Sequence, residues 1–339
     1  YDPNALTGAI SPPEWHPLET DPALPLLNRA LQVKYPPGSP FKLAIAAMAL
    51  RRGLVDLHTH MPQPCAGAMA YGNRIFKCWN KGGHGSLDLL EAVAQSCDVY
   101  FYQLGLRIQL ANLLADGVSM GFQSRTNIDL VNEVSPIWPG STDYYDRRYG
   151  PRGWTNAAAL NLAIGQGENT QTLLTMVRFY AALAGNGSAP APYLVRPDST
   201  PGFNLNLTRE QLDALRTALV AVVERGTAVR SRLAEFTVAG KTGTAQNPQG
   251  NDHGWFIGFA PADRPEIIVG AIFEFGGHGS QVAPYVVQVI RRALLGPGAP
   301  SDDPRRTRLL LPGDAPRGPV PDPAATDSST PARSGEAIQ

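Results

Sequence analysis

Tyr35-Pro36-Pro37-Gly38-Ser39-Pro40-Phe41-Lys42 opens a segment, running on to Leu50, that is apolar almost throughout. Ser39 reads as a helix cap and Pro40 as the first helical residue, where its fixed φ and missing N–H are best tolerated. A helix that is apolar all round is a buried one, and Gly53 ends it. The same residues carry chemistry. Positions i and i+3 share a helix face, so Lys42 can bring its amine to the Ser39 hydroxyl. A serine is a poor nucleophile until a base takes its proton, and a lysine is such a base only when neutral, a state that apolar surroundings favour. A capping serine followed by an unrelated lysine would look the same, so this pair alone decides little.

The chain around it has 339 residues, 43% hydrophobic and 17% charged, enough for one large domain or two ordinary ones. Lys+Arg and Asp+Glu number 29 each, so no general electrostatic grip on nucleic acid or anionic lipid is expected. No apolar run nears the roughly 20 residues that a membrane-spanning helix requires. The polar start Tyr1-Asp2-Pro3-Asn4 has neither Met nor the pattern of a signal peptide. The expectation is a fragment whose natural N-terminus, with any targeting signal, lies upstream. No internal repeat is evident.

Residues 1–37, rich in Pro, Asn and Asp, are expected to be loops with one short helix around Leu24–Leu31. Residues 62–86 read as an irregular excursion. Asp88–Ala94 and Val99–Leu110 are helical, and Leu160–Ile164 leads into Gly165-Gln166-Gly167. Gln171–Ala184 is a helix closed by Gly185-Asn186-Gly187, and Leu207–Val223 starts with a capping box of Thr208 and Gln211. Then the period changes. Phe236–Lys241, His253–Ala260 and Glu266–Phe275 read as antiparallel strands joined at Asn247-Pro248-Gln249-Gly250 and at Pro261–Pro265. A last helix, Ser280–Leu295, sets Val282, Val286, Val289, Ile290 and Ala293 on one face. Residues 297–339 hold nine prolines and no aromatic, a composition expected to be disordered. The fold class is mixed α/β (α+β), an antiparallel sheet flanked by helices.

Two more stretches carry chemistry. Lys241-Thr242-Gly243-Thr244 falls at the expected end of a strand, where Gly243 would admit a substrate backbone and Lys241 would offer a fixed charge. Such an edge can take an extended peptide by strand addition; a turn with a solvated lysine is the plain alternative. Ser96-Cys97-Asp98 follows a helix and supplies a second hydroxyl and a carboxylate.

In this order the three boxes resemble the set shared by penicillin-binding proteins and class A β-lactamases. The flanks Pro37-Gly38-Ser39-Pro40-Phe41-Lys42, Ser96-Cys97-Asp98-Val99-Tyr100-Phe101-Tyr102, Ala163-Ile164-Gly165-Gln166-Gly167, Gly240-Lys241-Thr242-Gly243-Thr244-Ala245-Gln246 and Trp255–Pro261 are similar to class B penicillin-binding proteins, above all the elongation-specific branch. The resemblance implies a transpeptidase domain over residues 1–296, of the penicillin-binding and serine β-lactamase-like fold with a helical subdomain. A Cys/His-rich insertion lies at about 62–97, and the tail 297–339 stays outside.

It also implies a D,D-transpeptidase of peptidoglycan stem peptides. Ser39 would attack the penultimate D-Ala, and an amine of a neighbouring stem would resolve the acyl-enzyme. Lys42 would be the base, Ser96 would shuttle a proton, and Asp98 would fix both. Lys241 and Thr242 would hold the terminal carboxylate and Gly243 would belong to the same substrate-binding stretch, with Ser39 and Thr244 N–H groups as the oxyanion hole. β-Lactams would trap Ser39. Asp98 stands where the wider family has Asn, adding a negative charge beside Lys42 and leaving the base assignment open. A membrane anchor and pedestal upstream, a bacterial inner-membrane address with this domain in the periplasm, and a SEDS-type glycan polymerase and elongation complex as partners follow from the same resemblance. A serine β-lactamase would need a Glu-x-x-x-Asn type box between the second and third motifs, and none is found. A penicillin-sensing domain is the other rival, against which the intact motif set speaks.

Cys65, Cys78 and Cys97 are the only cysteines, and with His84 they form a plausible Cys₃His zinc set around the irregular stretch. Their odd number argues against a pure disulfide framework. Some members of the elongation branch carry a zinc in this insertion on carboxylate, His and Cys ligands, so a structural zinc is expected here, none being needed for the chemistry. Buried thiols, or one disulfide and a spare thiol, are the alternatives. His58-Thr59-His60 has no supporting ligand. His253 and His278 read as rim residues, Trp255 as core, Phe256 as groove wall, and Gly226-Thr227-Ala228 as a family loop or a plain turn.

Overall fold

The computed structural model describes residues 3–296 apart from residues 152, 248 and 249. The Pro-rich stretch 297–339 and the tip of the hairpin expected at 247–250 lie outside the described residues. The helices are α1 (Pro12–Thr20), α2 (Arg29–Gln32), α3 (Lys42–Arg51), α4 (Leu89–Ala94), α5 (Asp98–Ile108) and α6 (Leu110–Ser119). They continue as α7 (Asp143–Tyr149), α8 (Ala157–Ala163), α9 (Leu173–Ala184), α10 (Arg209–Glu224) and α11 (Gly279–Leu295). Strands β1 (Ala68–Tyr71) and β2 (Arg74–Lys77) pair as a hairpin, and β3 (Ser188–Pro190) pairs with β4 (Gly202–Asn204). The main sheet is antiparallel, in the order β5 (Ala239–Ala245), β6 (His253–Ala260), β7 (Ile267–Phe273).

The expected class, a sheet flanked by helices beside a helical region, is what the chain adopts. Both faces of the sheet are covered. A Cβ at Gly270 would lie 2.5 Å from Val177 Cγ2 of α9, and one at Gly254 would lie 2.8 Å from Val282 Cγ2 of α11. Covered on both sides, β5 and β6 are buried almost end to end and do not alternate. In the helical region α3 is buried from Lys42 to Leu50 and packs on α5 and α6.

Local signals set several boundaries. Thr208 Oγ1 accepts from Gln211 N at 3.2 Å while Gln211 Oε1 accepts from Thr208 N at 3.0 Å, the capping box that starts α10. Asp88 caps α4 by accepting from Glu91 N.

Other expectations are corrected. Residues 3–37 are more than loops with a helix at Leu24–Leu31. Glu14 accepts from Ser11 N, starting α1, and the second helix shrinks to Arg29–Gln32. The excursion 62–86 contains the β1–β2 hairpin. Gln109, at φ 71°, breaks the Val99–Leu110 run, so that α6 follows α5. The first main strand is Ala239–Ala245, not Phe236–Lys241: pairing of Ala239 with Phe259 and Ala245 with His253 carries it through Lys241-Thr242-Gly243-Thr244. The covered face of α11 is Val282, Ala283, Val286, Val287 and Ile290; Val289 is 53% exposed and Ala293 is exposed too. Phe256 is fully buried and is no groove wall.

Helices α5 and α8 meet at Gly105, where a Cβ would lie 2.7 Å from Ala163 Cβ and 2.9 Å from the Ala159 carbonyl oxygen. Gly105→Ala, favoured by helix propensity alone, should therefore destabilise the fold by about 1–3 kcal/mol. Urea unfolding checks this, and a stabilised variant would contradict the close approach.

Candidate active site

The Ser39 turn is clamped before α3 begins. Tyr35 and Gln171 exchange backbone hydrogen bonds of 2.9 and 2.8 Å, Gly38 N donates to Gly165 O at 3.0 Å, and Tyr180 Oη donates to Pro40 O at 3.0 Å. Gly38 has φ 58°, and a Cβ there would lie 2.7 Å from the Thr244 carbonyl oxygen, so glycine alone turns the chain this close to β5. Ser39–Phe41 form a 3-10 turn with Gly38, not Ser39, at the cap position, and α3 starts two residues later than expected, at Lys42. The Ser39 hydroxyl is not used as a cap.

Lys42 is fully buried. Its Nζ donates to Asp98 Oδ1 at 2.7 Å, to Ser96 O at 2.8 Å and to Ser96 Oγ at 3.2 Å, and it stands 5.5 Å from the centre of the Phe101 ring. None of these bonds goes to Ser39. Lys42 therefore ties the first box to the second and is not paired with its neighbour on the helix. Ser96 has φ 56°, a left-handed conformation costing a side-chain-bearing residue about 1–2 kcal/mol, and such strain persists only where the surroundings over-determine it. Asp98 is the first residue of α5, where the helix dipole favours an anion.

Lys241 is also fully buried, yet it donates only to the Thr242 carbonyl, at 3.1 Å, and forms no ion pair among the described residues. Burial first, and then the nearby charge of Lys42, hold its pKa well below the ordinary lysine value. The Thr242 and Thr227 hydroxyls are hydrogen-bonded to each other. A Cβ at Gly243 would lie 2.3 Å from Pro40 Cδ. Its missing side chain leaves room for the Ser39 turn. Thr244 Oγ1 lies 3.3 Å from His278 Nδ1. Strand β5 is at the edge of its sheet, with β6 as its one paired strand among the described residues.

Cys65, Cys78, His84 and Cys97 converge, their ligand atoms all lying within 4.8 Å of one another. His84 Nδ1 is 3.6 Å from Cys65 Sγ and 3.5 Å from Cys78 Sγ. A tetrahedral zinc with Zn–S of about 2.3 Å and Zn–N of about 2.0 Å sets N and S about 3.5 Å apart, so the residues fit that ion. None of the cysteines is disulfide-bonded. The Cys78 thiol is pushed down, first by a hydrogen bond from Cys97, and Cys97 is pushed up by the same contact. The Nε2 of His84 is buried without a partner.

His58 and His60 bond separately to Asp88 and Ser86 and share no centre. His253 accepts from Phe275 N at 3.0 Å. Thr227, from the stretch that reads as a family loop or a plain turn, and Trp79, which carries no sequence signal, belong to the site's surroundings. Trp79 donates its backbone N–H to Asp98 Oδ2 at 2.9 Å.

Fold and site together define the class of penicillin-recognising serine proteins. Residues 1–291 match the family model described as penicillin binding protein transpeptidase domain, and the chain belongs to that family. It is similar to the peptidoglycan D,D-transpeptidase MrdA of Acinetobacter baumannii, with 32% identity over 98% of this chain and 53% of that protein. It is also similar to the solved penicillin-binding protein PBP2 of Helicobacter pylori, with a TM-score of 0.77 and 31% identity over 88% of this chain and 56% of that one. The same protein in complex with MreC matches with a TM-score of 0.77 and 31% identity, over 87% of this chain and 56% of that one. The chain thus spans about half the length of these relatives.

Because the Lys241 pKa is depressed on folding, the unfolded chain holds the extra proton between the folded value and about 10.4, the value of free lysine. Wild type is therefore penalised most at low pH, and the penalty fades as the pH approaches 10.4. Lys241→Met should raise the thermal midpoint at pH 7 by a few degrees, with the gap narrowing steadily at pH 8 and 9. A gap that ignores pH would show that Lys241 is charged in the fold.

Proposed function

We propose that this chain is the transpeptidase domain of a peptidoglycan D,D-transpeptidase of the cell-elongation type, inhibited covalently by β-lactams. The observation that carries the reading is Lys42, buried beneath the Ser39 turn and bonded at once to Ser96 and Asp98. Ser39 Oγ attacks the carbonyl carbon of the penultimate D-Ala, and its proton passes to Lys42 in the neutral form. Lys42 reaches that neutral form by first giving its ammonium proton to Asp98 across their 2.7 Å bond. Ser96 hands a proton to the departing D-Ala nitrogen as the C–N bond breaks and regains one from Lys42, which passes on the proton taken from Ser39. Lys241 and Thr242 hold the terminal carboxylate, while the Ser39 and Thr244 N–H groups face the oxyanion. The free edge of β5 suits an extended peptide. A neighbouring stem amine then attacks the ester and releases Ser39.

The four residues Cys65, Cys78, His84 and Cys97 are proposed to hold a structural zinc, which would cross-link the 62–97 excursion to the second box. The domain is placed in the periplasm, on a protein anchored in the inner membrane by a segment outside this chain. Among the described residues no helix is long and apolar enough to cross a membrane. A SEDS-type glycan polymerase and elongation-complex proteins are the proposed partners; the PBP2–MreC complex of a relative supports the second.

Incubated with a fluorescent penicillin and weighed intact, the chain should carry one stable adduct and Ser39→Ala none. Steady turnover of the drug would instead favour a β-lactamase, and the absence of any adduct would sink the reading. Metal analysis of protein purified without chelator should find about one zinc per chain, and its removal should lower the thermal midpoint. Well under one zinc per chain would overturn the metal assignment.

A further inference from the structure

We propose that Trp79 is a positioning residue for acylation, a strap that holds the strained second box against Lys42; this rests on the acyl-enzyme reading above. Trp79 is 59% exposed, so core packing does not explain how tightly it is tied. Its indole N–H is shared between the carbonyl oxygens of Gln95 and Ser96, each at 3.1 Å, and its backbone N–H is given to Asp98 Oδ2 at 2.9 Å. Lys42 uses the other side of two of these groups, Ser96 O at 2.8 Å and Asp98 Oδ1 at 2.7 Å. Two of the three acceptors that hold the lysine head belong to groups, the Ser96 carbonyl and the Asp98 carboxylate, that Trp79 holds as well.

The placement of Ser96 needs such a clamp. At φ 56° its backbone relaxes readily toward ordinary conformations unless its carbonyl is pinned, and any such relaxation moves Oγ away from Lys42. Trp79 is anchored in turn: its ring packs on His84 with centroids 5.3 Å apart and planes at 58°, and its chain neighbour is Cys78. The strap therefore runs from the Cys/His cluster to the proton-transfer groups. It has no bond to Lys241 or Thr242, so its loss should slow bond-making and leave substrate capture alone.

The test is acylation of the full chain by a fluorescent penicillin over a range of concentrations, separating the dissociation constant of the first complex from the acylation rate constant. Trp79→Phe keeps an aromatic ring for His84 and removes the indole N–H. It should lower the rate constant about tenfold, with the dissociation constant within about twofold and with metal content and thermal midpoint unchanged. Trp79→His restores a ring N–H the same number of bonds from Cβ and should recover most of the rate. An unchanged rate in Trp79→Phe, a loss explained by a lower midpoint or lost metal, or a histidine variant no faster than the phenylalanine variant would each overturn the strap. A parent chain that takes no adduct on Ser39 would overturn the acyl-enzyme reading itself, and so the two failures are told apart.

Discussion

The ion pair between Lys42 Nζ and Asp98 Oδ1, 2.7 Å long with the lysine fully buried, is the contact around which the site is organised. Taking two charges out of water carries a desolvation penalty of several kcal/mol per ion, offset only when geometry is good and the remaining donors are filled. Lys42 is doubly disfavoured, since it opens α3, where the helix dipole repels a cation. Asp98 opens α5, where the same dipole favours an anion, and the Ser96 carbonyl and hydroxyl take the other lysine donors. The two helices are therefore locked start to start, and the strained Ser96 is caught between them.

Lys241 stands in contrast. It lies in the same dry region with only a backbone carbonyl as partner, so one buried lysine is neutralised from within and the other is not. With no carboxylate beside it, Lys241 is held toward its neutral form, and an anion placed next to it would favour the charged one. The walls of the site come together because Gly38 and Gly243 leave no side chain between the Ser39 turn and β5, and Tyr180 and Gln171 hold that turn from behind. The geometry is thus set by backbone against backbone, which is stiffer than side chains meeting across a gap.

The excursion between α3 and α5 is tied to the core by Met61, Met69 and Phe76. Three thiols and one imidazole also converge in it, with the β1–β2 hairpin carried between Cys65 and Cys78. Since Cys97 is also the middle residue of the second box, the cluster lies directly against Ser96 and Asp98 in the chain.

Much of this was legible in the chain itself. The capping box of Thr208 and Gln211, the cap at Asp88 and the all-apolar run after Lys42 are local signals, and they placed α10, α4 and α3. The chemistry-bearing boxes and the Cys/His set were legible because reactive side chains at fixed spacings are themselves a local pattern. What the sequence alone determined was therefore where helices such as α3, α4 and α10 form and which side chains the three boxes and the Cys/His set contain. Tertiary structure decided that Lys42 bonds to the second box and not to Ser39, that β5 runs through Lys241–Thr244, that Gly243 makes room for Pro40, and that Trp79 and Thr227 join the site. Each of these rests on strand pairing or packing between segments apart in the chain, and such contacts leave no periodicity in either segment.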